Sequence, residues 1–401
     1  VLVLEAVLLL IIATYGISLS VGYLLQKYLR MPWMFSSLFF GLVLSALGLF
    51  RSTIDSDLFQ MLETLGMYLL LFIIGYSIDF KKMARLKNYV ILGTVIIIAF
   101  EGFFGSLLLY LVFPAAIHNS YLIALITAFS FATVGEAVLL PILNEFKIIK
   151  TTFGQLTLGI GTLDDIVEVL MLAVVAVLPG FLPIALTQDF PDPGMVLIDL
   201  GLMAILTLVI ARFGHKVGRA LEKNHTPSFM FSLLTLLVFF SFVALGNFVA
   251  ESLASVGAIF GGIVLRELLP KERLHQNEQA IEFLGYIFLS PFFFLSVGAS
   301  VSLAAVFVAP LMVGLILLVA NGSKYLASVA LFRRQLGFKY SSLMGVGLGI
   351  RFSTSLIVQF ILLNSGLITE NLYSALIAAA IFVTPVIIIA YSWALSKGQP
   401  P

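Results

Sequence analysis

Residues 89–113 read YVILGTVIIIAFEGFFGSLLLYLVF, twenty-five residues in which Glu101 is the one charged side chain. Lys81, Lys82, Arg85 and Lys87 come just before it. About 20 mostly apolar residues suffice for an α-helix to cross the hydrocarbon core of a bilayer. Basic side chains collect at the cytoplasmic end of such a helix. The stretch therefore predicts a spanning helix that runs from inside to outside and carries one acid at mid-depth.

The rest of the chain repeats this pattern. Hydrophobic residues make up 61% of it and charged residues 11%. A soluble domain is about half apolar and a quarter charged, so the apolar excess calls for a bilayer. Breaks at clusters of charge, Pro and Gly leave thirteen candidate helices. These are α1 (3–25), α2 (32–50), α3 (57–79), α4 (89–113), α5 (120–144), α6 (152–178) and α7 (195–220), then α8 (228–248), α9 (251–267), α10 (279–300), α11 (304–332), α12 (341–364) and α13 (371–396). Residues 1–25 lack a basic leader and a small-residue cleavage site, so they read as a spanning helix and not a signal peptide.

The loops test the count. With the N-terminus outside, nineteen of the twenty-two Lys and Arg fall in inner loops or the inner tail, and Arg51 alone lies in an outer loop. One miscounted helix would invert every later loop and destroy this bias. The expected protein is an all-α, multi-pass membrane protein, N-terminus outside and C-terminus cytoplasmic. Six helices, a linker and six more place α1–α6 against α8–α13 at an offset of seven. Because seven is odd, matching helices run in opposite directions, as in the inverted repeats of many secondary transporters.

Composition also excludes classes. There is no cysteine, so there are no disulfides or thiolate metal sites, and the redox compartment is unreadable. The four His show no metal-ligand spacing. A net charge of +1 argues against a nucleic-acid partner. No cofactor is expected.

Charges within the spans stand out, because each costs roughly 2.5–3.5 kcal/mol at the helix centre on insertion scales. Besides Glu101, they are Glu136 in α5, Asp164, Asp165 and Glu168 in α6, Lys324 in α11 and Arg351 in α12. Asp164 and Glu168 share a face at a spacing of four. Asp164 and Asp165 lie about 100° apart around the helix, so one can meet a helical partner while the other faces a cavity. Two close carboxylates resist full ionisation, which makes a site able to hold protons or a cation. The structural alternative is a simple ion pair. Lys324 is too deep to reach the interface easily, so it is either paired or neutral, with Asp164 favoured as partner over Asp165 and Glu168. Spacing alone does not choose among them. Glu101 carries a weaker signal and is expected to face a neighbouring helix or to lie nearer the surface.

α5 and α12 each mix Gly, hydroxyl residues and a charge at mid-depth: Thr133, Gly135 and Glu136 in one, Gly345, Gly347, Gly349, Arg351 and Ser353 in the other. They occupy matching places in the two halves, which points to paired interrupted helices at a binding site. Unwinding frees carbonyls for a cation, and Glu136 and Arg351 could compensate the half-helix dipoles, singly or as a pair. Ordinary Gly/Ser packing is the alternative. Pro291 is expected to kink α10.

These residues resemble the monovalent cation:proton antiporters, in the aspartate-pair branch with the NhaA-type fold. The resemblance covers nearly the whole chain. Leu70-Leu71-Phe72, Gly75 and Asp79 look like one family helix; Thr133 and Gly135 resemble its first broken helix. Asp164–Asp165 matches the pair, Pro291 to Gly298 a further motif, Lys324 the facing lysine, and Gly347 to Arg351 the second broken helix. The resemblance implies two crossing broken helices and a core of α4–α6 (89–178) and α11–α13 (304–396). It also implies dimerisation helices α1–α3 (1–88) and α8–α10 (228–300), with α7 (195–220) as linker. Asp165 would be the principal cation ligand, with Asp164 and Thr133 beside it. Asp164 would pair with Lys324, and exchange of sodium or potassium for protons would be electrogenic, in a homodimer set in the lipid of the cell membrane. Glu136, Glu168, and Phe352–Ser353 after Arg351 depart from the family pattern and bear on ion choice, pH range and stoichiometry.

Three alternatives make different demands. A sodium-coupled symporter of a small organic anion needs more cationic donors at depth. An intramembrane aspartyl protease needs aspartates on two helices, and here they are adjacent. A channel would show flux without proton coupling. None of these is as close to the residue pattern as a non-enzymatic antiporter.

Overall fold

A computed structural model describes residues 2–29, 31–77, 88–131, 134, 139, 143, 148, 151–177, 198, 201–210, 212–214, 227–249, 251–269, 279–308, 310–351 and 354–396. Helices occupy all thirteen expected places: Leu2–Leu24, Phe35–Leu47, Asp57–Ser77, Asn88–Val112, Tyr121–Phe131, Thr152–Val177 and Gly201–Gly214, then Ser228–Val249, Glu251–Leu268, Gln279–Ala299, Pro310–Gly347, Thr354–Asn364 and Glu370–Ser396. The run Pro310–Gly347 holds both α11 and the first half of α12. It turns at Gly337, whose φ of 74° only glycine adopts without strain. Among the described residues there is no strand, and seven helices are long and apolar enough to cross a membrane unaided. Large apolar side chains face outward, among them Ile12, Leu19, Leu111, Phe248 and Ile389. In water these would be costly; against acyl chains they are solvated.

Two compact units emerge. The first comprises Val1–Ile12, Ser52–Asp79 and Leu172–Phe294. In it α3 and α8 both pack on α9. Between helices in lipid, close packing replaces hydrophobic drive, and small residues let backbones meet. Gly75 lies against the Ile259 carbonyl and Gly262 against the Phe72 carbonyl, with no room for a Cβ at either. Phe72 and Phe239 meet edge to face at 5.3 Å, and Arg266 Nη1 donates to the Tyr76 carbonyl at 2.8 Å. Phe72 and Gly75 of the family-like motif on α3 are thus packing residues, and Asp79 lies outside the described residues. Gly262→Val is expected to overpack this contact, at a cost of about 1–3 kcal/mol. A lowered melting temperature in detergent checks it; unchanged melting would contradict the close approach.

α10 carries a seven-residue π-helical turn, Phe283–Leu289, directly before Pro291. Proline lacks an N–H, and its ring clashes with the carbonyl one turn back. The wider turn, in which the Ser290 N–H bonds the Gly285 carbonyl, accommodates it.

The second unit comprises Ala13–Arg51, Phe80–Met171 and Leu295–Pro401. Here α4 packs on α5 and on α11, and α11 packs on α13. Both expected interruptions are present in the described residues. α5 is helical to Phe131, and Val134 is not helical; α12 stops at Gly347 and resumes at Thr354. Ser355 Oγ donates to the Ser130 carbonyl at 2.8 Å, which brings the start of one half-helix to the end of the other.

Candidate functional site

The site belongs to the second unit and grows from the two breaks. A stopped helix leaves backbone donors and acceptors without helical partners, and buried side chains must satisfy them. At the α5 break, Asp164 Oδ2 accepts a hydrogen bond from the Val134 N–H. Asp164 is 2% exposed, so α6 delivers a carboxylate to the break in α5 with almost no water beside it. At the α12 break, Lys324 Nζ donates to the Leu348 carbonyl at 2.7 Å. One turn earlier on α11, the Asn321 side chain presses its Oδ1 on Gly349, where a Cβ could not fit. α11 therefore holds the unwound segment of α12 through the Lys324 ammonium, with the Asn321 amide packed against it.

The charges form one cluster. Lys324 Nζ lies 3.3 Å from Glu101 Oε2, and Arg351 Nη2 lies 3.2 Å from Glu101 Oε1. Glu101 and Lys324 are fully buried and Arg351 is 1% exposed. One carboxylate on α4 thus ties α11 to the unwound part of α12. The Arg351 guanidinium also sits 5.6 Å from the centre of the Phe131 ring, at the end of the first half of α5. Asp164 is within electrostatic range of both Lys324 and Glu101. An isolated charge in such a place would be prohibitive, whereas paired and hydrogen-bonded charges persist.

Set against the expectations, the structure brings Asp164, Lys324 and Arg351 into one buried cluster. Lys324 has Glu101 as an ion-pair partner, a residue outside the three acids of α6 considered for it. Arg351 also pairs with Glu101, where Glu136 had been the suggested partner. Thr133 and Glu136 lie outside the described residues. Asp165 and Glu168 are on the helical backbone of α6, and their side chains lie outside the described residues. Glu101 itself is neither superficial nor incidental. Charge balance could have found it: two deep cations on α11 and α12 require carboxylates, and α4 offers one at mid-span.

A second polar group went unnoticed in the sequence. Gln359 Nε2 donates to Ser355 Oγ at 3.1 Å, and Ser130 Oγ donates to the Thr127 carbonyl at 2.7 Å. With the Ser355–Ser130 bond, they join the first half of α5 and the second half of α12 by a buried polar seam.

The family model for the transmembrane domain of sodium/hydrogen exchangers matches residues 16–397. A Na(+)/H(+) antiporter of Enterococcus hirae is 25% identical over 375 residues, covering 92% of this chain and 93% of its own. The Na(+)/H(+)-K(+) antiporter GerN of Bacillus cereus is 24% identical, covering 82% of this chain and 81% of its own. The solved structure of the sodium proton antiporter MjNhaP1 from Methanocaldococcus jannaschii superposes with a TM-score of 0.66 at 17% identity, covering 97% of this chain and 98% of that one. It shares the fold.

Proposed function

The chain belongs to the sodium/hydrogen exchanger family, and from that premise we infer that it exchanges sodium or potassium for protons across the cell membrane. The observation that carries this reading is Asp164, a buried mid-span carboxylate placed at the break of α5 and within reach of the charge of Lys324. A dehydrated monovalent cation needs oxygen ligands and a compensating negative charge. Adjacent carboxylates supply both, and the interrupted backbone adds carbonyls. The same carboxylates bind protons when the cation leaves, so one site serves both substrates in turn. Asp165 is the principal ligand, with Asp164 and Thr133 beside it; Glu136, Glu168 and Arg351 tune the surrounding charge.

Transport proceeds by alternating access. The core, α4–α6 and α11–α13, moves against a scaffold of α1–α3 and α8–α10 that pairs two copies in the lipid, with α7 as linker. The N-terminus is outside and the C-terminus cytoplasmic, and exchange moves net charge. An anion carrier is a poorer fit, because Glu101 already engages both deep cations. The test is purified protein in proteoliposomes, with sodium, potassium or lithium gradients imposed and internal pH followed. A gradient that drives no pH change would overturn the reading.

Competition gives a further expectation. Acidification fills the carboxylates with protons, so apparent cation affinity should weaken as pH falls, approaching about tenfold per unit in the limit of one-for-one competition. Affinity that stays constant across pH would mean that protons and cation do not share a site.

A further inference from the structure

We propose that Glu101 is a positioning residue for the exchange: by pairing with Lys324 as well as Arg351, it sets how strongly the lysine competes with the transported cation for the aspartate pair. The proposal rests on the antiport reading above.

A lysine ammonium close to a carboxylate is a tethered rival of any free cation. Its local concentration is high and fixed by the fold. If Asp164 and its neighbour were its sole carboxylates, the lysine would hold them against a millimolar ion. Lys324 instead is shared. Its Nζ is 3.3 Å from Glu101 on α4 and 2.7 Å from the Leu348 carbonyl, and it also acts on Asp164 through space. Arg351, on the other oxygen of Glu101, keeps that carboxylate turned toward the α12 break. The clamp is built from three helices, α4, α11 and α12, and all three side chains are at most 1% exposed. Water cannot screen it, so small changes in charge act strongly.

Glu101→Gln preserves shape and removes the charge. The lysine then falls to the aspartates, and the cation must displace a stronger rival. The expected result in proteoliposomes is an apparent KM for the cation raised about tenfold or more, beyond any loss in maximal rate. In a Lys324→Gln background the same Glu101→Gln change should leave KM within about twofold of that background, because the rival is gone. Glu101→Asp, which keeps the charge, should recover most of the wild-type KM. If Glu101→Gln leaves a buried guanidinium that prevents folding, Glu101→Gln combined with Arg351→Gln removes both charges and should show the same raised KM. An unchanged KM in either form, or an equal rise without Lys324, would mean that Glu101 is structural only. Absence of cation-driven pH change in the wild type would instead sink the antiport reading itself.

Discussion

Reconstituted Asp165→Asn protein is expected to fold and insert as the wild type does and to exchange no cation for protons. Asparagine keeps the side-chain shape and one ligating oxygen. It loses the charge that compensates a dehydrated cation and the group that takes up the proton. Both halves of the cycle therefore fail together, which distinguishes this change from one that weakens affinity alone. Asp164→Asn should also be severely impaired, for a partly different reason. Its carboxylate accepts the Val134 N–H at the break of α5 and shares the field of Lys324. An amide in its place could offer that N–H an oxygen but would leave Lys324 one negative charge short. Asp164→Asn should thus lose thermal stability as well as transport, whereas Asp165→Asn loses transport. Flux in proteoliposomes and melting in detergent separate the two. Wild-type flux in Asp165→Asn would remove Asp165 from the mechanism.

The spans were readable because lipid imposes length and the loops impose charge. Residues 89–113 already specify a helix long enough to span, and the structure has one at Asn88–Val112. The breaks in α5 and α12 were readable for a similar reason: Gly and hydroxyl residues at matching mid-span places have little purpose in lipid-facing helix. What spacing does not give is partnership between helices far apart in the chain. Glu101 and Arg351 are 250 residues apart and 3.2 Å from each other. Nothing in either local sequence names the other. The adjacent acids of α6 drew attention to themselves, while a solitary glutamate in an apolar run resembled a lesser feature. A count of deep charges would have shown that α11 and α12 bring two cations to be balanced. The polar seam of Ser130, Ser355 and Gln359 was hidden in another way, because such residues also serve plain helix packing.

Lys324→Gln is expected to leave an exchanger whose rate depends far less on membrane potential than that of the wild type. The reason lies in the sharing of Glu101. In the structure Lys324 lies beside Glu101 and within the field of Asp164, and Arg351 lies beside Glu101. In the proposed cycle, cation entry at Asp165 would draw Asp164 toward the ion. Among the described carboxylates, Glu101 is then left to balance two buried cations, which one carboxylate does poorly. A guanidinium does not give up its proton, whereas an ammonium can. On this proposal the lysine would release a proton as the cation binds, in addition to the one displaced from Asp165, and two protons would move per cation. With glutamine at 324, Glu101 and Arg351 form a balanced pair and only the Asp165 proton is exchanged. The Lys324→Gln site should also take the cation with equal or higher apparent affinity, since its tethered competitor is gone. The measurement is exchange at several clamped potentials, alongside the proton-to-cation ratio from parallel fluxes. A wild-type ratio near two that falls toward one in Lys324→Gln fits this account. An active Lys324→Gln exchanger with undiminished potential dependence would show that the charge moves through another group, and Glu168 and Glu136 are the acids of the spans to replace next.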